Sequence, residues 1–156
     1  MPDSEYVQRR LGFSPNYIVA SPEYLDRHGT PSEPEELRDH CGIFVDNMRS
    51  HRLTWRLSRR GEVDIDIPLT ATLFSDDPLV TLNAALTGIA IANLPHGLCW
   101  PHIEAGKLVR LMPTWEAGGT TTTILMPHKR GQLPSVRAVV DNLAKGLGQR
   151  MGLRAT

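Results

Sequence analysis

A chain of 156 residues has room for one domain or for two small lobes. Its 17 Lys plus Arg are balanced by 17 Asp plus Glu, for a formal net charge of zero. This argues against a free-standing nucleic-acid binder, whose affinity comes largely from neutralising phosphate. A hydrophobic share of 40% supports a packed core and is too high for a disordered chain.

The opening residues Met1-Pro2-Asp3-Ser4-Glu5-Tyr6 hold no basic start and no apolar run, so no signal peptide is expected. No apolar stretch is long enough to span a bilayer, and no membrane partner is expected. Cys41 and Cys99 form no CxxC pair and have no His at finger spacing. They read as buried free thiols in a reducing cytoplasm, with no metal site.

Tyr17-Ile18-Val19-Ala20 reads as a short buried strand. Ser21-Pro22 is a helix start, with Ser as cap and Pro in the first turn, and Gly29 ends that helix after about Arg27. A second short helix is expected to begin within Thr30–Leu37, where acidic residues suit the first turn. Cys41–Val45 is a strand. Residues 46–62 are polar and rich in Arg, with Trp55 and Leu57 alternating against charge, and Arg60-Gly61 is a hairpin turn. Val63, Ile65, Ile67, Leu69, Ala71 and Leu73 recur with period two, so one strand is expected there.

Ser75-Asp76-Asp77-Pro78 is a second cap signal. It opens a helix through Leu79, Leu82, Ala85 and Leu86 that stops at Gly88. Ile89–Leu94 is a buried strand closed by Pro95, and Pro95-His96-Gly97 reads as a loop. Strands are expected at Leu108–Met112 and Thr121–Met126. Ser135 is expected to cap a last helix whose stripe is Val136, Val139, Val140, Leu143 and Leu147. The alternation of strands and helices gives an α/β class, without visible repeats.

Four blocks resemble the LysR-type transcriptional regulators. The first is Val19-Ala20-Ser21-Pro22-Glu23-Tyr24-Leu25 with His28-Gly29-Thr30-Pro31, Pro34-Glu35-Glu36-Leu37 and His40-Cys41. The second runs from Ala84-Ala85-Leu86-Thr87-Gly88-Ile89-Ala90 to Leu94-Pro95. The third is Gly106-Lys107-Leu108-Val109 with Leu111-Met112-Pro113-Thr114-Trp115, and the fourth is Val136–Leu143. Ala90 stands where the family usually has Gly, so tighter packing is expected there.

The resemblance implies a periplasmic-binding-protein type 2-like pair of α/β lobes, crossed twice by the chain, with a ligand cleft between them. It places the crossings near Tyr17–Ser21 and Thr121–Met126. Residues 17–126 would be a complete second lobe, and 1–16 and 127–156 remnants of a partial first lobe. Met1-Pro2-Asp3-Ser4 matches a point inside the first lobe, so the family's N-terminal winged helix-turn-helix would be absent.

An effector-sensing, non-enzymatic role follows from the resemblance. The ligand would be a small organic molecule, an organic acid or aromatic metabolite, with DNA contacted only through the absent N-terminal domain. The candidate effector-binding residues are Ser75, Asp76 and Asp77 at a strand-to-helix junction, Ser21 at another, and Pro95 and His96 after a buried strand. Each has a plainer role as cap or loop residue, and the two aspartates work against an anion. A homo-oligomer is expected because family members pair antiparallel, and because Val7–Leu11 and the helix 135–147 would carry uncovered apolar faces.

The run Arg49, His51, Arg52, Arg56, Arg59, Arg60 reads as the solvated face of a hairpin rather than a DNA contact. No GxSxG, HExxH or phosphate-cradling glycine loop is present, the six His follow no motif, and no catalytic residue or cofactor is expected. The alternative is a stand-alone small-molecule binding protein with no DNA-binding part.

Overall fold

The computed structural model describes residues 6–45, 53–127, 134–150 and 153. They include β1 (Tyr6–Ala20), α1 (Pro22–His28), a 3-10 helix (Pro34–Asp39), β2 (Cys41–Val45), β3 (Thr54–Leu57), β4 (Ile65–Pro68) and β5 (Thr70–Ser75). After these come α2 (Pro78–Leu86), β6 (Ile91–Pro95), α3 (His96–Glu104), β7 (Val109–Arg110), β8 (Gly119–Pro127) and α4 (Pro134–Arg150). Two compact units form. One is Pro15–Gly119; the other takes the described residues up to Ser14 and from Thr120.

The main sheet has the order β5-β2-β6-β1-β7, with β8 also pairing with β1. β2 runs parallel to β5 and β6, whereas β1 is antiparallel to β6 and β7. The register Val45↔Ser75 sets the carboxyl ends of β2 and β5 side by side, and Asn16↔Pro95 sets the end of β6 against the middle of β1.

Residues Tyr17 to Ala20 are all buried. Ile18 and Ala20 pack with Tyr24, Leu37, Trp55, Leu57, Ile67 and Trp115 on one face. Tyr17 and Val19 pack with Leu82, Ala85, Leu94, Cys99 and Leu108 on the other. A strand covered on both faces is apolar without a gap, which is why this segment shows no alternation in sequence.

The expected start of α1 is present. Ser21 Oγ accepts from Tyr24 N at 3.2 Å, and Gly29 closes the helix at φ +85°. Gly88 ends the α2 segment at φ +72°, and a Cβ there would lie 3.0 Å from Ser21 Oγ and from Arg27 Nη2. Ala90 is fully buried, in the cluster that also holds Leu82, Ala85 and Cys99. The hairpin at Arg60-Gly61 joins β3 to β4, with Gly61 at φ +85°.

Several expectations are corrected. The run Val63–Leu73 is two strands, not one. It breaks at Pro68, whose missing N–H cannot serve a ladder interior; β4 pairs with β3, and β5 joins the main sheet. Ile67 and Leu69 are buried as the period required, but Val63 is 85% exposed. The short helix expected to begin within Thr30–Leu37 does start there, at Pro34, but is a 3-10 helix. Leu79 faces outward, and α2 buries Thr81, Leu82, Ala84 and Ala85. The strand expected over Leu108–Met112 is only Val109–Arg110, because Met112 turns at φ +44° and its carbonyl accepts from Trp115 N.

Pro95-His96-Gly97 is not a loop, since α3 starts at His96 directly after β6. Ser135 lies inside α4 rather than capping it. In the unit that holds α4, Arg9 pairs with Asp141, and Arg10 Nη2 donates to Thr121 Oγ1 at 3.3 Å. Of the α4 stripe, Val140 is buried while Val136, Val139 and Leu143 are exposed. Met1-Pro2-Asp3-Ser4, Arg49, His51, Arg52 and the side chain of Val7 lie outside the described residues.

A buried polar knot ties α1 to β2. Tyr24 Oη accepts from Cys41 N at 3.3 Å and lies 3.1 Å from His40 Nδ1. The Tyr24 ring stacks on His28, with centroids 4.5 Å apart. Burial, followed by the neighbouring His28, holds the His40 imidazole below its usual pKa, against the smaller opposing pull of Asp39 and Glu36. A depressed histidine pKa means that the unfolded chain takes up the proton first. His40 therefore stabilises the fold fully above about pH 6.5 and progressively less as pH falls toward its folded value. Melting temperature measured from pH 5 to 8 should fall on the acid side, and His40→Gln should flatten that fall.

Candidate functional site

In open α/β sheets, ligand crevices lie beyond the carboxyl ends of parallel strands. Here that edge carries the end of β5 with the start of α2, and the end of β6 with the start of α3. Five of the six candidate residues fall on it: Ser75, Asp76, Asp77, Pro95 and His96. Ser21 does not join them. It follows Ala20 at the opposite end of the β1–β6 pairing, is 3% exposed, and spends its hydroxyl on capping α1.

At the β5–α2 corner, Ser75 Oγ accepts from Asp77 N at 3.1 Å and donates to Asp77 O at 3.2 Å. Asp77 Oδ1 then accepts from Leu79 N at 2.8 Å and caps α2. Asp76 is exposed. Among the described residues neither carboxylate has an ion-pair partner. The corner is thus negative, and one helix-start N–H is already occupied.

At the β6–α3 corner the groups are aromatic. His96 meets Tyr17 edge-on at 5.3 Å and stacks on Trp100 at 5.0 Å. The Arg110 guanidinium lies 3.6 Å over the Tyr17 ring and donates to Pro113 O at 2.7 Å. His96 Nδ1 is buried and has no hydrogen-bond partner among the described residues. Asn16 Oδ1 and Asn93 Oδ1, on β1 and β6, share that condition. Sequence reasoning passed over Asn16, Tyr17, Asn93, Trp100 and Arg110. Asn93 had a visible signal, as the polar residue inside the apolar run Ile89–Leu94.

Two of the described arginines of the hairpin are held locally. Arg56 Nε donates to Asp66 at 2.9 Å, while Arg59 pairs with Glu62 and lies 4.6 Å from the centre of the Trp115 ring. Among the described residues no group of three or more His, Cys, Asp or Glu is placed to hold a metal, and no helix is long and apolar enough to cross a membrane.

The family description "LysR substrate binding domain" matches residues 2–148. The chain belongs to this LysR family. An HTH-type transcriptional regulator of Xanthomonas campestris is 29% identical over 150 residues, covering 94% of this chain and 43% of the relative. A putative transcriptional regulator of Pseudomonas aeruginosa is 34% identical over 133 residues, covering 81% of this chain and 41% of the relative. The chain therefore spans less than half the length of these relatives.

Among solved structures, the regulatory domain of AphB from Vibrio vulnificus matches with TM-score 0.76 and 26% identity, over 93% of this chain and 71% of that one. The CrgA regulatory domain of Neisseria meningitidis, a LysR-type transcriptional regulator, matches with TM-score 0.72 and 27% identity, over 95% and 72%. The full-length virulence activator AphB of Vibrio cholerae matches with TM-score 0.76 and 25% identity, over 94% and 49%. The α/β body of this LysR domain is thus the periplasmic-binding-protein type 2-like fold.

Cys99 sits behind the β6–α3 corner of the LysR domain, its Sγ 3.6 Å from His96 O. Burial pushes its thiol up to about 11. A thiol reagent at pH 8 should leave Cys99 unmodified in the native protein while partly exposed Cys41 reacts. Peptide mass mapping after alkylation checks this.

Proposed function

We propose that this chain is the effector-sensing part of a LysR-type transcriptional regulator and acts without catalysis. The small molecule, an organic acid or aromatic metabolite, is bound with help from Ser75, Asp76, Asp77, Pro95 and His96. Residues 17–126 serve as the second lobe, and 1–16 with 127–156 belong to the first. DNA is contacted through a winged helix-turn-helix elsewhere in a cytoplasmic parent protein. The observation that carries this reading is the convergence of two strand-to-helix junctions on one sheet edge, within a chain that matches a substrate binding domain over 2–148. Ser21 is left out of the ligand set, since its hydroxyl is spent at the other edge.

A ligand alters a regulator only by favouring one of its conformations over another. Calorimetry of the full-length regulator against aliphatic and aromatic carboxylates is expected to give saturable binding by at least one of them. Asp76→Asn should then tighten an anionic ligand by about fivefold, the size expected for removing one exposed like charge. Asp76 is the informative position because Asp77 also caps α2. Absence of binding across a broad panel sinks the sensing reading.

Self-association is supported by the sheet edge itself. β5 is an outer strand, and Phe74, Leu79 and Val80 on β5 and α2 are 51%, 56% and 46% exposed. Apolar side chains grouped on an outer strand and the next helix are the kind of surface that a second copy covers. Val80→Glu is expected to shift the light-scattering mass toward the monomer. An unchanged oligomer would remove this face from consideration.

A further inference from the structure

The chain leaves the unit Pro15–Gly119 along two stretches, one at Pro15–Asn16 in β1 and one at Ala117–Gly119 leading into β8. Backbone bonds join them: Asn16 N donates to Gly118 O at 3.0 Å, and Ala117 N donates to Asn16 O at 3.2 Å. Gly118, at φ +78°, takes a conformation that favours glycine immediately after Ala117. The carbonyl of Ala117 is held by a side chain. Asn93 Nδ2, on β6, donates to it at 3.0 Å across 24 residues of sequence.

Asn93 occupies this place at a disadvantage. Its Oδ1 is buried without a partner among the described residues, as is Oδ1 of Asn16. A buried acceptor without a donor destabilises a fold, and an apolar side chain of similar size avoids that penalty. That same replacement, however, leaves the Ala117 carbonyl without its side-chain donor. What the amide supplies is a fixed point, through which a third strand grips the exit stretch two residues before β6 reaches Pro95 and His96.

We infer that Asn93 is a positioning residue, a side-chain brace that fastens Ala117–Gly118 to β6, so that movement at the Pro95–His96 end is passed to the strand leaving the unit. The meaning of that movement as a ligand signal rests on the proposed sensing function. The brace itself rests on the hydrogen-bond geometry alone.

Hydrogen–deuterium exchange resolved by NMR tests it on the protein and on Asn93→Ala. Exchange at the Asn16 and Ala117 amides is expected to accelerate by about tenfold or more, while Ile43 and Ala92 in the central strands keep their rates. Melting temperature is expected to fall by no more than a few degrees. Asn93→Leu, of similar volume but without a donor, should loosen the same two amides and provides the test if the alanine variant does not fold. Unchanged rates at Asn16 and Ala117 overturn the brace. So does uniform acceleration through the sheet with a larger fall in melting temperature, which is the mark of a residue that only fills space. Neither outcome depends on an effector, so loss of the brace leaves the sensing reading standing, and failure of every ligand leaves the brace standing.

Discussion

The segment Tyr17–Ala20 is buried on both sides of the sheet, and the larger unit is assembled around it. Ile18 and Ala20 meet α1, the 3-10 helix and the β3–β4 hairpin, while Tyr17 and Val19 meet α2 and α3. A slip of one residue would exchange the two sets, because successive side chains point to opposite faces. It would move Tyr17 away from both Arg110 and His96, and Ile18 out of the cluster that holds Tyr24 and Trp115. The pairing with β6 at four positions and the bond from Leu111 N to Ile18 O at 2.8 Å hold that register.

This register also sorts the chemistry at the carboxyl edge. Odd positions of β1 bring Tyr17 between Arg110 and the His96–Trp100 stack. Even positions bring Asn16 to the face opposite, level with Pro95, with Asn93 two residues earlier on β6, level with Ile18. A cationic and aromatic cluster on one face and an amide pair on the other are therefore consequences of a single strand's phase. Neither cluster is contiguous in sequence.

The parts of the fold legible beforehand were those governed by local chemistry. Ser21-Pro22 and Asp77-Pro78 start helices where expected, because an oxygen cap and a proline in the first turn act within a few residues. The parts that were missed depend on partners far along the chain. Period two identified the inward face of Ile65–Leu73 but carried no information on which strand each half would join, and Pro68 decided that. α3 was hidden because Pro95 offers no side-chain cap and Pro101 sits within the helix. The β5–α2 corner was readable from a cap motif, whereas Asn16, Arg110 and Trp100 gained their places only through pairing of β1, β6 and β7.

The two corners of the edge differ in charge and in ring content. At α2 the protein's own carboxylate takes the Leu79 N–H, and Asp76 adds exposed negative charge beside it. An acid group brought to that helix start would compete with Asp77 for the same donor and be repelled by both aspartates. At α3 the helix start has no side-chain cap, and the neighbouring groups are the Tyr17, His96 and Trp100 rings. The edge is therefore electrostatically uneven, negative at α2 and lined at α3 by rings with the Arg110 guanidinium over Tyr17. Five described arginines are already engaged, Arg56 with Asp66, Arg59 with Glu62, Arg9 with Asp141, Arg27 with the Gly88 carbonyl and Arg110 with the Tyr17 ring.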